Sequence, residues 1–128
     1  MIDHLGFNCR DVAASRAFYD AALAPLGIAL IVEYGPDQTG GPTYLGYGEN
    51  GKPDFWFGDD PQLGNKLHVA FLAQDRATVD AFHAAALAAG ATDNGAPGVR
   101  AIYHPNYYGA FVLDPDGHNI EAVCHRPE

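Results

Sequence analysis

Positive charge is what this chain has least of: seven Lys and Arg stand against sixteen Asp and Glu, for a formal charge of −9. The seven never cluster, which excludes the basic stripe that a nucleic-acid backbone or an anionic membrane surface requires. Cysteine is nearly as scarce. Cys9 and Cys124 match no C-x-x-C spacing, so both are expected as reduced, half-buried thiols without chemistry of their own. No apolar run approaches the length of a bilayer span, and Met1 leads into the chain without the basic and apolar regions of a secretory signal. A cytoplasmic location is therefore the expectation. What is present is 128 residues, 48% of them hydrophobic, enough for one domain with one ordinary core. Small molecules and other proteins are the partners left.

The chain repeats itself. His4-Leu-Gly-Phe7 corresponds to His68-Val-Ala-Phe71, Asp11 to Asp75, Ala17-Phe18 to Ala81-Phe82 and Ala21-Ala-Leu23 to Ala85-Ala-Leu87, at a constant offset of 64. Two copies of so long a period indicate a duplicated supersecondary unit rather than a solenoid. The expectation is one domain over 1–128, built from a module at 1–61 and a module at 66–128.

Each copy opens with alternation: Leu5, Phe7 and Cys9 oppose His4, Gly6 and Asn8, and Leu67, Val69 and Phe71 oppose His68, Ala70 and Leu72. That is the period of a half-buried strand. Asp11 and Asp75 are good N-caps for the Ala-rich helices that follow (12–26 and 76–89), and Gly27 and Gly90 stand where these should stop. Three short apolar runs follow in each half: 29–34, 44–47 and 55–57, then 99–103, 107–113 and 119–124. Gly35 to Pro42 and Asn94 to Gly98 read as loops. Asp114-Pro-Asp-Gly117 reads as a type I turn joining a hairpin. The fold class is α+β: two βαβββ modules.

Helices cover the apolar face of each first strand, so His4 and His68 belong on the uncovered face. In the last strand Ile120, Ala122 and Cys124 suit the helix, which turns Glu121 to the side of the histidines. Gly6 and Ala70 leave open space beside them. Two neutral imidazoles and one carboxylate are a common ligand set that leaves coordination positions open for substrate.

The opening I-D-H-L-G-F with F-Y-D-A-A-L-A-P-L-G, the paired modules and the closing Y-Y-G-A-F-V-L-D-P-D-G-H-N-I-E resemble the vicinal oxygen chelate superfamily of glyoxalases, extradiol dioxygenases, fosfomycin-resistance thiol transferases and bleomycin-binding proteins. The resemblance spans nearly the whole chain. It implies modules curled into a cup-shaped mixed sheet with helices outside, one divalent metal ion (Fe, Mn, Zn or Ni) on His4, His68 and Glu121, and a homodimer whose sites draw on both chains. The repeat offset places Phe57 where glyoxalases carry a second carboxylate, making Phe57 a wall for substrate. Residues 102–121 are also similar to the extradiol ring-cleavage signature, with His104 at the position of its second-shell histidine and Phe111 in place of its active-site tyrosine.

A metal so held chelates neighbouring oxygens of a small molecule and stabilises an enolate- or catecholate-like intermediate. His104 is the candidate acid or base, Tyr103 and Tyr108 are candidate oxyanion donors, and Tyr47, Tyr107 and Phe111 join Phe57 as candidate substrate contacts. Two rival readings are a metal-free sequestering protein that uses an aromatic cleft, and a fosfomycin-like thiol transferase, for which Asn94 to His104 offers only Arg100 as a cation.

Overall fold

Both helices begin where a side chain can replace a missing backbone partner. In the computed structural model, which describes residues 4–60, 64 and 66–128, Asp11 Oδ1 accepts the Ala14 N–H at 3.0 Å and Asp75 Oδ1 accepts that of Thr78 at 2.8 Å. They open α1 (Val12–Leu23) and α3 (Arg76–Ala88). Gly27 and Gly90 adopt positive φ, 77° and 95°, just past the helical segments, a conformation that costs glycine little. The strands are β1 (Leu5–Asn8), β2 (Ala29–Tyr34), β3 (Tyr44–Glu49) and β4 (Lys52–Gly58), then β5 (His68–Leu72), β6 (Thr92–Val99), β7 (Tyr108–Leu113) and β8 (Asn119–Cys124). A four-residue helix, α2 (Pro36–Thr39), occupies part of the loop expected at Gly35–Pro42.

These form not one sheet but two of four strands each, ordered β1-β4-β3-β2 and β5-β8-β7-β6. The first strand of each sheet pairs in parallel with the last, and the remaining neighbours are antiparallel. The α+β class and the two βαβββ units are as the sequence implied. The linker expected after Asp59 runs into positions outside the described residues.

One core joins the halves. Phe18, Tyr19, Ala22 and Leu23 of α1 and Val79, Phe82 and Ala86 of α3 are buried with Phe55, Phe57, Val112, Ile120 and Ala122 of the sheets. Burying each large side chain is worth about 1.5–3 kcal/mol. The Asp114–Gly117 turn closes with the Gly117 N–H donating to the Asp114 carbonyl at 3.0 Å. It docks on the first half: the Tyr19 hydroxyl donates to Asp114 Oδ2 at 2.8 Å and the Arg10 N–H to Asp116 Oδ1 at 3.0 Å.

One strand expectation fails. Residues 99–103 are mostly turn, whereas the Gly- and Pro-containing stretch read as a loop is β6. Its register shifts between Asp93 and Gly95 and again between Gly95 and Gly98, and bulges at a sheet edge tolerate glycine and proline.

Cys9 and Cys124 are free and fully buried, and burial pushes the Cys9 thiol up to about 11. A thiolate is the reactive form. An aromatic disulfide reagent at pH 8 is therefore expected to find no thiol in the folded protein and both after denaturation; rapid labelling of the native chain would contradict this packing.

Candidate functional site

The period of two along β5 and β8 decides what faces what. His68 pairs with Asn119, Ala70 with Glu121 and Phe111 with Glu121, so these side chains share the face turned away from α3. Glu121 is 1% exposed, a position at which a carboxylate needs partners. Its Oε1 accepts the Tyr107 hydroxyl at 2.5 Å, and its Oε2 lies 3.1 Å from His68 Nε2. Asn94 Nδ2 donates to Asn119 Oδ1 at 3.1 Å, which turns Asn119 Nδ2 toward His68 Nδ1, 2.6 Å away. Since His68 Nδ1 accepts, Nε2 carries the proton and donates to Glu121. Burial, and then the contact with Glu121, raise the Tyr107 pKa, so the phenol stays a donor at neutral pH.

Glycine makes room for this cluster. A Cβ on Gly109 would come within 3.0 Å of Glu121 Oε1 and 3.2 Å of the Tyr107 ring. Phe111 lies beside His68 with ring centroids 6.3 Å apart, and the Arg100 guanidinium sits over the Phe111 ring, 5.5 Å from its centroid. His104 is near but separate. Its Nδ1 accepts the Asn106 N–H at 3.1 Å, so its Nε2–H points to His125 Nδ1, 2.8 Å away. Both imidazoles pack on Tyr107, with centroids 5.5 and 5.2 Å from it.

Other expected site residues lie elsewhere. Tyr108 is on the helix side, its hydroxyl donating to Asp80 Oδ1 at 2.7 Å and its ring under Arg76. Tyr103 is 60% exposed and reaches only the flank of Tyr107, at 4.8 Å between centroids. Tyr47 is core, its hydroxyl bonded to Asp20 of α1 at 2.7 Å. Phe57 borders a cleft, yet it is 0% exposed and packs against Phe7, Tyr19 and Tyr47. The residue equivalent to Glu121 is instead Trp56: Gly6 pairs with Trp56 as Ala70 pairs with Glu121. The two halves differ by one residue between these positions, and one residue turns a side chain to the opposite face.

Apart from this cluster, a cleft of about 740 Å³ lies on the open face of the first sheet, lined by His4, Tyr34, Tyr44, Trp56 and His118 among others. His68, Glu121, Tyr107 and Phe111 do not line it. An imidazole beside a carboxylate, with Tyr107 steadying the acid, suits part of a divalent-metal shell. Within one chain it is only part: His4 lies just ahead of β1, in the other half, and among the described residues no three His, Cys, Asp or Glu side chains gather closely enough to hold an ion. The single shared face expected for all three ligands is therefore divided between two sheets.

Asn119 and His125 were legible as neighbours of Glu121 from the alternation of the last strand. Asn94 was not, because its strand looked like a loop.

Residues 1–122 match the Glyoxalase/Bleomycin resistance protein/Dioxygenase superfamily. A glyoxalase/bleomycin resistance protein from Albidiferax ferrireducens shares 31% identity, with 98% of each chain covered and a TM-score of 0.72. Glyoxalase I from Zea mays shares 19% identity over 99% of this chain and 45% of its own, with a TM-score of 0.71. A mutant of the fosfomycin resistance protein FosX from Listeria monocytogenes, complexed with Mn(II) and 1S,2S-dihydroxypropylphosphonic acid, shares 17% identity over 96% of this chain and 90% of its own, with a TM-score of 0.71. No curated protein matches the sequence.

Proposed function

Because the chain belongs to the Glyoxalase/Bleomycin resistance protein/Dioxygenase superfamily, we propose that it is a metal-dependent small-molecule enzyme acting as a homodimer. His68 and Glu121 of one copy and His4 of a second would complete each site. The observation that carries this reading is the buried Glu121 carboxylate held between Tyr107 and His68, with no third ligand from its own chain among the described residues. The manganese of the FosX complex supports a divalent ion in this fold.

When bound, such an ion supplies a Lewis acid that stabilises negative charge developing on neighbouring oxygens of a substrate. The residues of the chain do the rest. Tyr107 fixes one oxygen of Glu121 and leaves the other for the ion. His68 must give up its Nε2 proton to ligate. The new Nδ1–H then needs an acceptor, which a turned Asn119 amide supplies. His104 and His125, paired at 2.8 Å beside Tyr107, can pass a proton from one ring to the other.

Complementation tests the shared site. His4→Ala and His68→Ala homodimers should each fail to retain a divalent ion after dialysis. Co-refolding an equal mixture should restore about a quarter of the wild-type sites, because half of the dimers then carry one intact site of two. Elemental analysis reads the result. No recovery on mixing would sink the shared site, and a wild type that holds no ion under any loading would favour sequestration by the aromatic cleft.

A further inference from the structure

We infer that Arg100 determines specificity at the Glu121 site: it receives a carboxylate that the substrate carries at a distance from the oxygens that chelate the ion. The inference deepens the preceding reading by naming a substrate class, a small acid with its charge set apart from its neighbouring oxygens, and rests on that reading only for the chelation.

Backbone pairing places the side chain. Gly98 pairs with Gly109 and Val99 with Tyr108, and the next rung is the Arg100 N–H donating to the Tyr107 carbonyl at 2.7 Å. Arg100 therefore stands opposite Tyr107, on the face that also holds Glu121. Its guanidinium turns back across β6. Nη2 donates to the Ala96 carbonyl at 2.6 Å, and the flat cation lies over Phe111. Glycine provides the seat: a Cβ on Gly98 would come within 2.9 Å of Nη1, and one on Gly95 within 3.4 Å of Nη2.

The same glycines open a path to the acid. Space above Gly98 ends at Arg100 Nη1, and space above its partner Gly109 ends at Glu121 Oε1. Paired residues of neighbouring strands stand about 5 Å apart, and neither of these two raises a side chain between the cation and the carboxylate. A small molecule lying along that strip reaches both.

What the guanidinium lacks is an anion. Sixteen Asp and Glu stand in the chain, yet none of the ion pairs among the described residues includes Arg100. Its anchors, a carbonyl and a ring face, are neutral and leave most of its five N–H donors over. An Arg positioned by neutral contacts keeps its charge for a ligand, and the two oxygens of a carboxylate match its fork. Its field already reaches Tyr107, where it acts against the rise that burial and Glu121 cause.

2-Oxoglutarate is the probe and its 5-methyl ester the control: both chelate through the 2-oxo acid end, and only the first has a distal charge. Calorimetric titrations compare wild type, Arg100→Gln and Arg100→Lys, each with Mn(II) and in EDTA. The wild type should bind the diacid about tenfold more tightly than the ester. Arg100→Gln should bind the two alike, and Arg100→Lys should recover part of the preference, with Mn(II) retention unchanged in both. The ion sets the absolute affinity and Arg100 the ratio, so the ratio is expected in EDTA as well. A ratio near one in the wild type, a ratio that Arg100→Gln leaves intact, or no binding of the diacid in either medium overturns the inference. So does a shifted monomer–dimer equilibrium or a loss of Mn(II) in Arg100→Gln, which would make the charge an interface or structural contact. Equal affinities with Mn(II) and in EDTA, with the ratio intact, would remove the metal reading and leave the role of Arg100 standing.

Discussion

Replacing Glu121 with Gln is expected to lower affinity for a divalent ion by at least about 100-fold while leaving the protein folded. A carboxylate that is 1% exposed has lost most of its hydration, at a cost of several kcal/mol, and strong hydrogen bonds or a cation must offset it. Tyr107 and His68 supply the hydrogen bonds; a metal ion would add charge compensation. A neutral amide keeps the size and can still accept from Tyr107, so the core has no reason to open. It has no negative charge to offer a cation. Tyr107→Phe should weaken the ion by about tenfold, because Glu121 then loses the donor that orients it. Calorimetric titration with Mn(II) and elemental analysis after dialysis measure both. Unchanged retention in Glu121→Gln would place the metal elsewhere or nowhere.

Asp114→Ala should destabilise the protein by about 3 kcal/mol, a large share of the 5–15 kcal/mol that holds a domain together. Asp114 is 5% exposed. One of its carboxylate oxygens takes the Tyr19 hydroxyl, and the other takes the Asp116 and His118 N–H groups at 2.9 and 2.8 Å. The substitution orphans three donors at once, each worth about 1–3 kcal/mol when left buried and unpaired, with less than full additivity. Tyr19→Phe removes one hydroxyl and leaves its partner two other donors, so about 1 kcal/mol is expected. Urea denaturation at constant m-value separates the two. A midpoint for Asp114→Ala as high as that of Tyr19→Phe would show that the turn is not held from within.

What could be read from the sequence was local or periodic. The caps at Asp11 and Asp75, the stops at Gly27 and Gly90 and the 114–117 turn depend on a few adjacent residues. The orientation of His68 and Glu121 follows from alternation. The position equivalent to Glu121 was read as Phe57 rather than Trp56 because a repeat offset carries no record of a one-residue difference between the halves. Strand β6 escaped because its glycines and proline are made tolerable by bulges, which form only when β7 is alongside. Tyr47 and Phe57 were placed in the lining because composition does not distinguish an aromatic wall from an aromatic core. That Glu121 lies under Tyr107 depends on a contact across a hairpin with room left by Gly109, a matter of three-dimensional space.

Among the described residues no strand of either sheet pairs with a strand of the other. The joint is made by side chains: the core shared by α1 and α3, the Tyr19–Asp114 and Arg10–Asp116 hydrogen bonds, and ring contacts such as Phe55 on Phe71, 5.0 Å between centroids. Two plates without a common rung are held to one another by side-chain packing rather than by a continuous ladder. Hydrogen exchange is expected to show slow amides within each plate and faster exchange along their junction.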